Sequence, residues 1–535
     1  MESSIMIRKS FTLAGFQFIF RILTFLINLT LVRFLQKDIL GLVNVRLILL
    51  HSTIIFITRE PFRKVCLSLN FNDNSRKLIN LMWLIVPFIL FISILFTFIW
   101  CEFISYPIKY KEYKVVVMMY GLSSIIELLS EPLWLISQMN LMVEFRAIVE
   151  ALALFTRIIL STILYFTWSG LGLYAFGIAQ LAYSLVISGS YFIYFKIILH
   201  SKTNKSLASS QTIKRYRDIF PDIYNFEIEH NQFLMIKGFV FNCILKQILT
   251  EGERYLMTIS NWISLEMQGE FDIISNLGSL APRLIFSSIE DSCHLAFSRL
   301  HQQGLPARFQ DQDKIRDSYK ILTNSLKIVI LLGLTIVIFA QAYSWPLLVL
   351  YAGWDKAATG TDLLRIFSFY VLVLSVNGVS ECFYYSAINK NELHRHTYRM
   401  VAFSGVFFAS SSVLVHIYGT VGVIWANCIN MMLRIIISTR FIREFYENSS
   451  YSLRSVIHQS VPHKSVILAY LLSLIAILVS MVCCKPTITG QLIHISIGLA
   501  FIIVDFFVIL YREPNFSQFI SLKFQSLIRR KSKAT

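Results

Sequence analysis

The chain has 535 residues, of which 55% are hydrophobic and 15% charged, with a mean hydropathy of +0.61 and a net charge of +17. An ordinary soluble domain is about one-quarter charged, so this composition excludes one and makes lipid the natural solvent. The basic residues are scattered as short flanks between apolar runs rather than gathered on one aromatic-interleaved face, which argues against a nucleic-acid partner.

Apolar stretches read against polar punctuation predict fourteen membrane-spanning helices, near 11–35, 39–58, 79–101, 115–137, 147–167, 172–195, 236–260, 268–289, 319–342, 362–388, 397–416, 420–439, 465–484 and 490–511. The first run is too long for a signal peptide and lacks a small-residue cleavage site, so it is expected to remain as the first helix. An even number of spans puts both termini on one side. The segments on that side hold thirty-two Lys and Arg, whereas the opposite loops hold only Lys37, Lys109, Lys111, Lys114, Lys356 and Lys485. Positive charge accumulates in the cytosol, so both termini are expected there. The sequons at Asn28, Asn204, Asn448 and Asn515 then fall in a helix or in the cytosol, and no N-glycan is expected. Eight cysteines without CxxC or Cys/His metal spacing indicate buried packing, with neither a disulfide framework nor a metal site.

A repeat at a constant offset of 250 organises the spans. Ser130-Glu131 in SEPLWLIS recurs as Ser380-Glu381 in SECFYYSA, and GLYAFGIAQ from Gly172 matches GVIWANCIN from Gly422. A glycine opens the second helix of each half, Gly41 and Gly269, and an acid closes it, Glu60 and Glu290. The expected fold is an all-α polytopic membrane protein of two pseudo-repeated six-helix halves plus a C-terminal helix pair. Residues 1–195 form the first half, 196–235 a cytosolic linker, 236–445 the second half, and 446–535 the terminal pair with a basic tail.

Eleven basic residues fall inside the predicted spans. A charge at mid-bilayer costs about 2.5 to 3.5 kcal/mol on insertion scales, so each is expected at a watery cavity, a partner or the interface. Lys237, Lys327, Arg365 and Arg434 lie near span ends and are read as snorkelling, and Arg21 is the remaining one besides the candidates that follow. Arg33, Arg46, Arg157, Lys246, Arg254 and Arg283 are the candidates for a cationic cavity between the halves. Arginine binds phosphate bidentately, so an anionic substrate such as a diphosphate fits such a cavity. The competing reading is internal pairing with Glu127, Glu131, Glu150, Glu251, Glu253, Asp272 and Glu381.

The seventh span, KQILTEGERYL, carries a broad polar stripe, with Lys246, Thr250 and Glu253 on one row and Gln247, Glu251 and Arg254 on the next. Gly252 is expected to break the helix beside a cavity. At the ends of the second and eighth helices, Arg63 beside Glu60 stands against Glu290 and Asp291, opposite charges suited to a gate in alternating access. No GxxxxGK[ST] phosphate loop occurs, and no cofactor is expected.

FLINLTLVRFLQKDILGLVNVRLILLHSTIIFITREPFRKVCL (25–67), ELLSEPLWL (127–135), LTEGERYLM (249–257) and YGTVGVIWANCINMMLRI (418–435) closely resemble the eukaryotic Rft family of endoplasmic-reticulum membrane proteins. That family is similar to the multidrug, oligosaccharide-lipid and polysaccharide exporters and to the bacterial flippase for the peptidoglycan lipid precursor. The resemblance implies translocation of a dolichol-diphosphate-linked oligosaccharide from the cytosolic to the lumenal leaflet for N-glycosylation, with membrane lipid and glycosylation-pathway proteins as partners. By role, Arg33, Arg46, Arg157, Lys246, Arg254 and Arg283 would then face the diphosphate. Lys531 and Lys533 in the C-terminal KSKAT match a cytosolic dilysine retrieval signal.

Three alternatives stand beside this one. A small-cation antiporter would want an acidic cavity. A non-transporting accessory protein of lipid-linked oligosaccharide assembly would need no substrate path. A polytopic glycosyltransferase would need a large lumenal loop with an acidic motif, whereas the lumenal loops are short and Asp311-Gln312-Asp313 is read as a solvated cytosolic loop.

Overall fold

The computed structural model describes residues 29–68, 75–104, 110–140, 142–200, 215–222, 230–260, 262–447, 449–484 and 488–513. Among these, every regular element is a helix, and twelve helices are long and apolar enough to cross a membrane. In lipid no water satisfies the backbone, so helices that close their own hydrogen bonds are the form such apolar runs must take. The chain divides into two compact units, up to Gly269 and from Glu270 onward.

In the first unit, α1 (29–34) is the described part of the first predicted span and leads into α2 (Lys37–Ser68). The unit continues through α3 (Arg76–Glu102), α4 (Tyr113–Met139), α5 (Glu144–Thr167), α6 (Tyr174–His200) and α7 (Gln232–Ile259). α2 is the hub, packing on α3, α4 and α7, while α6 packs on α4 and α5. It departs from a regular helix twice, in a π-helical turn at Gly41–Leu47 and at the internal Pro61. Glu60 therefore lies inside α2, which runs eight residues beyond it, and not at its end as the sequence suggested. In the predicted linker, the turn Tyr216–Ile219 is tied to α3 by the Trp83 Nε1–H donating to the Ile219 carbonyl at 2.8 Å.

The predicted eighth span, 268–289, is not one apolar helix. It forms α8 in three pieces, Leu265–Gly278, a π-helical turn Pro282–Phe286, and Ser287–Leu300. Glu266, Glu270, Asp272, Asn276 and Arg283 interrupt its apolar surface, and Pro282 lacks the N–H that a regular turn requires. Glu290 falls within its last piece rather than closing the helix.

The second unit holds the remainder of α8 with α9 (Gln312–Ala352), α10 (Trp354–Ala387), α11 (Lys390–Tyr418), α12 (Thr420–Phe445), α13 (Lys464–Cys483) and α14 (Thr489–Arg512). α9 has 41 residues, so at 1.5 Å per residue it is about 60 Å long, twice the hydrocarbon thickness, and its charged first turns extend beyond it. The motif read as a solvated loop is the start of α9. Asp311 is its N-cap and accepts from the Asp313 N–H at 3.0 Å, because a carboxylate satisfies helix-end donors better than water-exposed backbone does. α13 and α14 pack on α9 through Leu331, Ile338, Ala342, Val466, Tyr470, Ile477 and Ile509.

The glycines before α6 and α12 are in the left-handed region, Gly172 at φ 46° and Gly419 at φ 59°. Only a residue without a Cβ adopts that conformation cheaply. The sequence match pairs Gly172 with Gly422, three residues farther along than this shared turn.

Candidate functional site

On α2, His51, Arg59 and Arg63 follow one another in steps of four or eight, which places them along one face. On α4, Glu127 and Glu131 are likewise four apart, and the two ladders meet. Glu127 accepts from His51 Nε2 at 3.1 Å and forms an ion pair with Arg59 Nη1 at 3.6 Å. Arg63 forks onto Glu131, with Nε on Oε1 and Nη2 on Oε2 at 3.1 Å. Both carboxylates are buried, at 8% and 4% exposure, so their charges are stable only because guanidinium partners replace the lost water.

The cluster continues through α6 to α5. His51 Nδ1 lies 2.8 Å from the Ser124 hydroxyl, Gln180 Nε2 lies 3.2 Å from His51 Nε2, and Arg157 Nη1 donates to Gln180 Oε1 at 3.3 Å. Arg157 also stands over the Tyr183 ring at 5.3 Å. The indole of Trp134 takes Arg63 on its face at 3.3 Å, with Arg146 at 4.6 Å from the same ring. Four guanidiniums, of Arg59, Arg63, Arg146 and Arg157, thus gather around the two buried carboxylates, and Glu60, within electrostatic reach of Arg59, and Glu150, within reach of Tyr183 and Tyr191, bring further negative charge to the edge of the cluster.

The other predicted cations are not gathered there. Arg33 is exposed on α1. Arg46 sits in the π-helical turn of α2, 5% exposed, and donates from Nε to Gln268 Oε1 at 3.2 Å. Gln268 in turn donates to the Met257 and Ile263 carbonyls, so this corner locks α2 to the residues after α7. Lys246 is exposed on α7 with its ammonium 5.7 Å from the Phe56 ring. Arg254 pairs with Glu251 at 3.2 Å. Gly252 is buried and does not break the helix, which runs from His230 to Ile259, since α7 packs on α2 through Tyr255 OH and Thr53 Oγ1 at 2.5 Å. Glu253 lies half-buried on the same helix. Arg283 is exposed in the π-helical turn of α8, so each half carries one such turn with an arginine in it.

The repeat reappears in side-chain chemistry. Ser130 donates to the Glu127 carbonyl at 2.7 Å and Ser380 to the Asn377 carbonyl at 2.9 Å, positions separated by the same offset. Glu131 pairs with Arg63, and Glu381 with Arg434 at 3.5 Å. Arg434 is therefore a partner of a half-buried acid, not a snorkelling end. Of the expected gate, Arg63 has its partner in Glu131, Glu60 is half-buried on α2, Glu290 packs against Gly378 of α10, and Asp291 is exposed. Lys531 and Lys533, and the asparagines of the four sequons, lie outside the described residues.

The family model described as Rft protein matches residues 7–523. The chain belongs to the Rft family. A relative from Mus musculus, the Man(5)GlcNAc(2)-PP-dolichol translocation protein RFT1, is 35% identical over 492 residues, covering 90% of each chain. Its counterpart of the same name from Saccharomyces cerevisiae is 27% identical, covering 81% of this chain and 82% of its own. Among solved structures, the lipid II flippase MurJ in an inward closed conformation aligns with a TM-score of 0.56 and 14% identity, over 91% of this chain and 99% of its own. A multidrug resistance MATE family transporter of the MOP superfamily, inward-facing, aligns at 0.51 and 13% identity, over 80% and 96%. Those two likenesses concern the fold.

For this Rft family member, His51, Arg59, Arg146 and Gln180 join the site although no charge-in-span search singled them out. For His51 and Arg59 the signal is the spacing along α2 facing the four-residue spacing on α4, and Arg146 on α5 and Gln180 on α6 carry no such signal. Fixed guanidiniums can neutralise an oxyanion without a metal, and an imidazole beside a carboxylate orients that carboxylate.

Proposed function

We propose that this chain moves a dolichol-diphosphate-linked oligosaccharide from the cytosolic to the lumenal leaflet of the endoplasmic-reticulum membrane, for N-glycosylation, by alternating access. The observation that carries the reading is the gathering of four guanidiniums around Glu127 and Glu131, in a family whose relatives are named for dolichol-diphosphate translocation. A diphosphate offers oxygens that a guanidinium not already forked onto an acid can bind. Arg157 is the first candidate to meet it, because its one described hydrogen bond goes to a neutral amide, not to an acid. Arg33, Arg46, Lys246, Arg254 and Arg283 are the further candidates, Glu60, Glu251, Glu253, Glu290 and Asp291 the pairing groups, and Lys531 with Lys533 the retrieval signal of a cytosolic tail.

The accessory reading has one observation in its favour: Arg63 and Arg59 already hold acids, and a scaffold needs no more than that. Reconstitution separates the two. Full-length protein in liposomes is given an oligosaccharide diphosphate-dolichol, and the accessibility of the sugar across the bilayer is compared for wild type, Arg157→Gln, Arg46→Ala and Lys246→Ala. Protein-dependent movement that Arg157→Gln abolishes with folding retained supports direct translocation. No movement above empty liposomes, from protein that still supports glycosylation in cells, favours the accessory role.

A further inference from the structure

A cleft of about 330 Å³ opens in the second unit between the end of α10, the start of α11 and the end of α12. Three guanidiniums line it. Arg395 and Arg399 are four residues apart on α11, hence on one face, and Arg440 comes from the neighbouring α12. Two carboxylates, Glu392 and Glu444, share the cleft, yet among the described residues neither is ion-paired with any of the three arginines. The cleft therefore keeps a net positive charge and fifteen N–H donors that no acid saturates. Its remaining wall is apolar: Ile437 with the Tyr384 and Phe441 rings, whose centroids are 4.7 Å apart. Arg395 precedes the apolar stretch of α11, which begins at Tyr398, and Arg440 lies in the last two turns of α12, so the cleft sits where spans end, at headgroup level. None of these residues belongs to the cluster around Glu127.

We propose that this cleft is a second anion site, which takes the phosphate group of a phosphate-bearing anion. Planar guanidiniums from two helices match the oxygens of a phosphate, and the volume accommodates a headgroup larger than one phosphate. The apolar wall suits the glycerol and first methylenes of an anionic lipid, and a soluble diphosphate offers the same oxygens without them.

The test uses the full chain in a neutral detergent, with a fluorescent short-chain phosphatidic acid as the lipid probe and inorganic pyrophosphate as the soluble one. Phosphatidic acid is expected to bind, with its phosphatidylcholine analogue at least roughly tenfold weaker, and the Arg395→Gln/Arg399→Gln variant is expected to lose roughly 10- to 30-fold in affinity. Arg443→Gln, on the same helix end but outside the cleft, is expected to stay within about twofold. Glu392→Gln/Glu444→Gln adds no clash and removes two negative charges, so it is expected to bind several-fold tighter, which keeps the test valid if the arginine variant misfolds. Displacement by pyrophosphate with the same arginine dependence assigns a soluble source, and binding of the lipid alone assigns a headgroup. Affinity that neither double variant changes overturns the site, as does binding of neither probe above the phosphatidylcholine analogue.

Discussion

At the scale of single residues, the buried charges of Glu127 and Glu131 are tolerable because each has a guanidinium within reach, whereas the buried Asp38 accepts from the Tyr110 hydroxyl and the Ile39 N–H. Removing one partner of a buried pair leaves the other uncompensated, at a cost of about 3 to 5 kcal/mol. Glu131→Gln is expected to lower the melting temperature of the full chain in detergent, and Arg63→Gln to do so as well. The double variant should lose less than the sum, and strict additivity would mean that the fork contributes no coupling. His301, at the junction of α8 and α9 and outside the spans, behaves differently. It is buried among Phe297, Phe383 and Phe445, with Ser386 on Nδ1 at 2.8 Å and Ser318 on Nε2 at 2.6 Å. Burial penalises the imidazolium and holds its pKa down at about 4. An unfolded histidine protonates near 6.5. Above that pH neither state carries the proton and its contribution to stability is complete. As pH falls through 6.5 toward 4 only the unfolded chain binds it, and stability is lost, by about 2 kcal/mol at pH 5. Melts of wild type and His301→Gln at pH 7, 6 and 5 check this: the wild-type decline should be steeper, and parallel declines would remove His301 as its cause.

At the scale of elements, α2 and α8 meet at two glycines that the sequence marked only as equivalent openings of two helices. They touch. A Cβ on Gly41 would lie 2.9 Å from the Gly269 nitrogen and would overlap the Leu265 carbonyl, backbone atoms that cannot swing aside. Gly41 has an ordinary helical φ of −60°, so the requirement is for space and not for conformation. Gly41→Ala should therefore destabilise the full chain by about 1 to 3 kcal/mol, whereas the same change at Gly405, where a Cβ meets nothing, should be neutral or stabilising. Equal melting temperatures for the two variants would contradict the crossing. Such contacts explain what was legible and what was not. Hydropathy reports which residues lipid and protein will accept, and it located α2 to α7 and α9 to α14. It does not report partners, so Arg63, a gate or salt-bridge candidate from sequence, finds its acid in Glu131 of α4, which the hydropathy of neither helix indicates. Gly252 looked like a break because propensity was weighed without the α2 surface that holds α7 straight. α8 looked like one span because its apolar residues were read without the effect of Pro282 and its acids.

At the scale of the whole molecule, the resemblance legible in four sequence stretches and the family membership agree, and two of those stretches contain the residues of the pairing cluster, Arg59, Arg63, Glu127 and Glu131. What a static arrangement of helices does not carry is which face of the membrane each end meets, and there the charge distribution argues alone. Thirty-two Lys and Arg on one set of segments against six on the other is an asymmetry that an added or missing span would erase. It predicts cytosolic termini and lumenal loops at 103–112 and 484–488. A glycosylation tract on a spacer inserted at 106–108 should gain a glycan, seen as an endoglycosidase-sensitive mass shift, and the same tract at 303–305 should not. The native sequons give the internal control. Asn204 and Asn448 belong to segments rich in Lys and Arg, so the unmodified chain should show no shift. A glycan at either asparagine, with none at 106–108, would invert the topology and place the basic segments in the lumen. The direction assigned to lipid movement would then lose its support, because a substrate made on the cytosolic face would first meet what are here the lumenal loops.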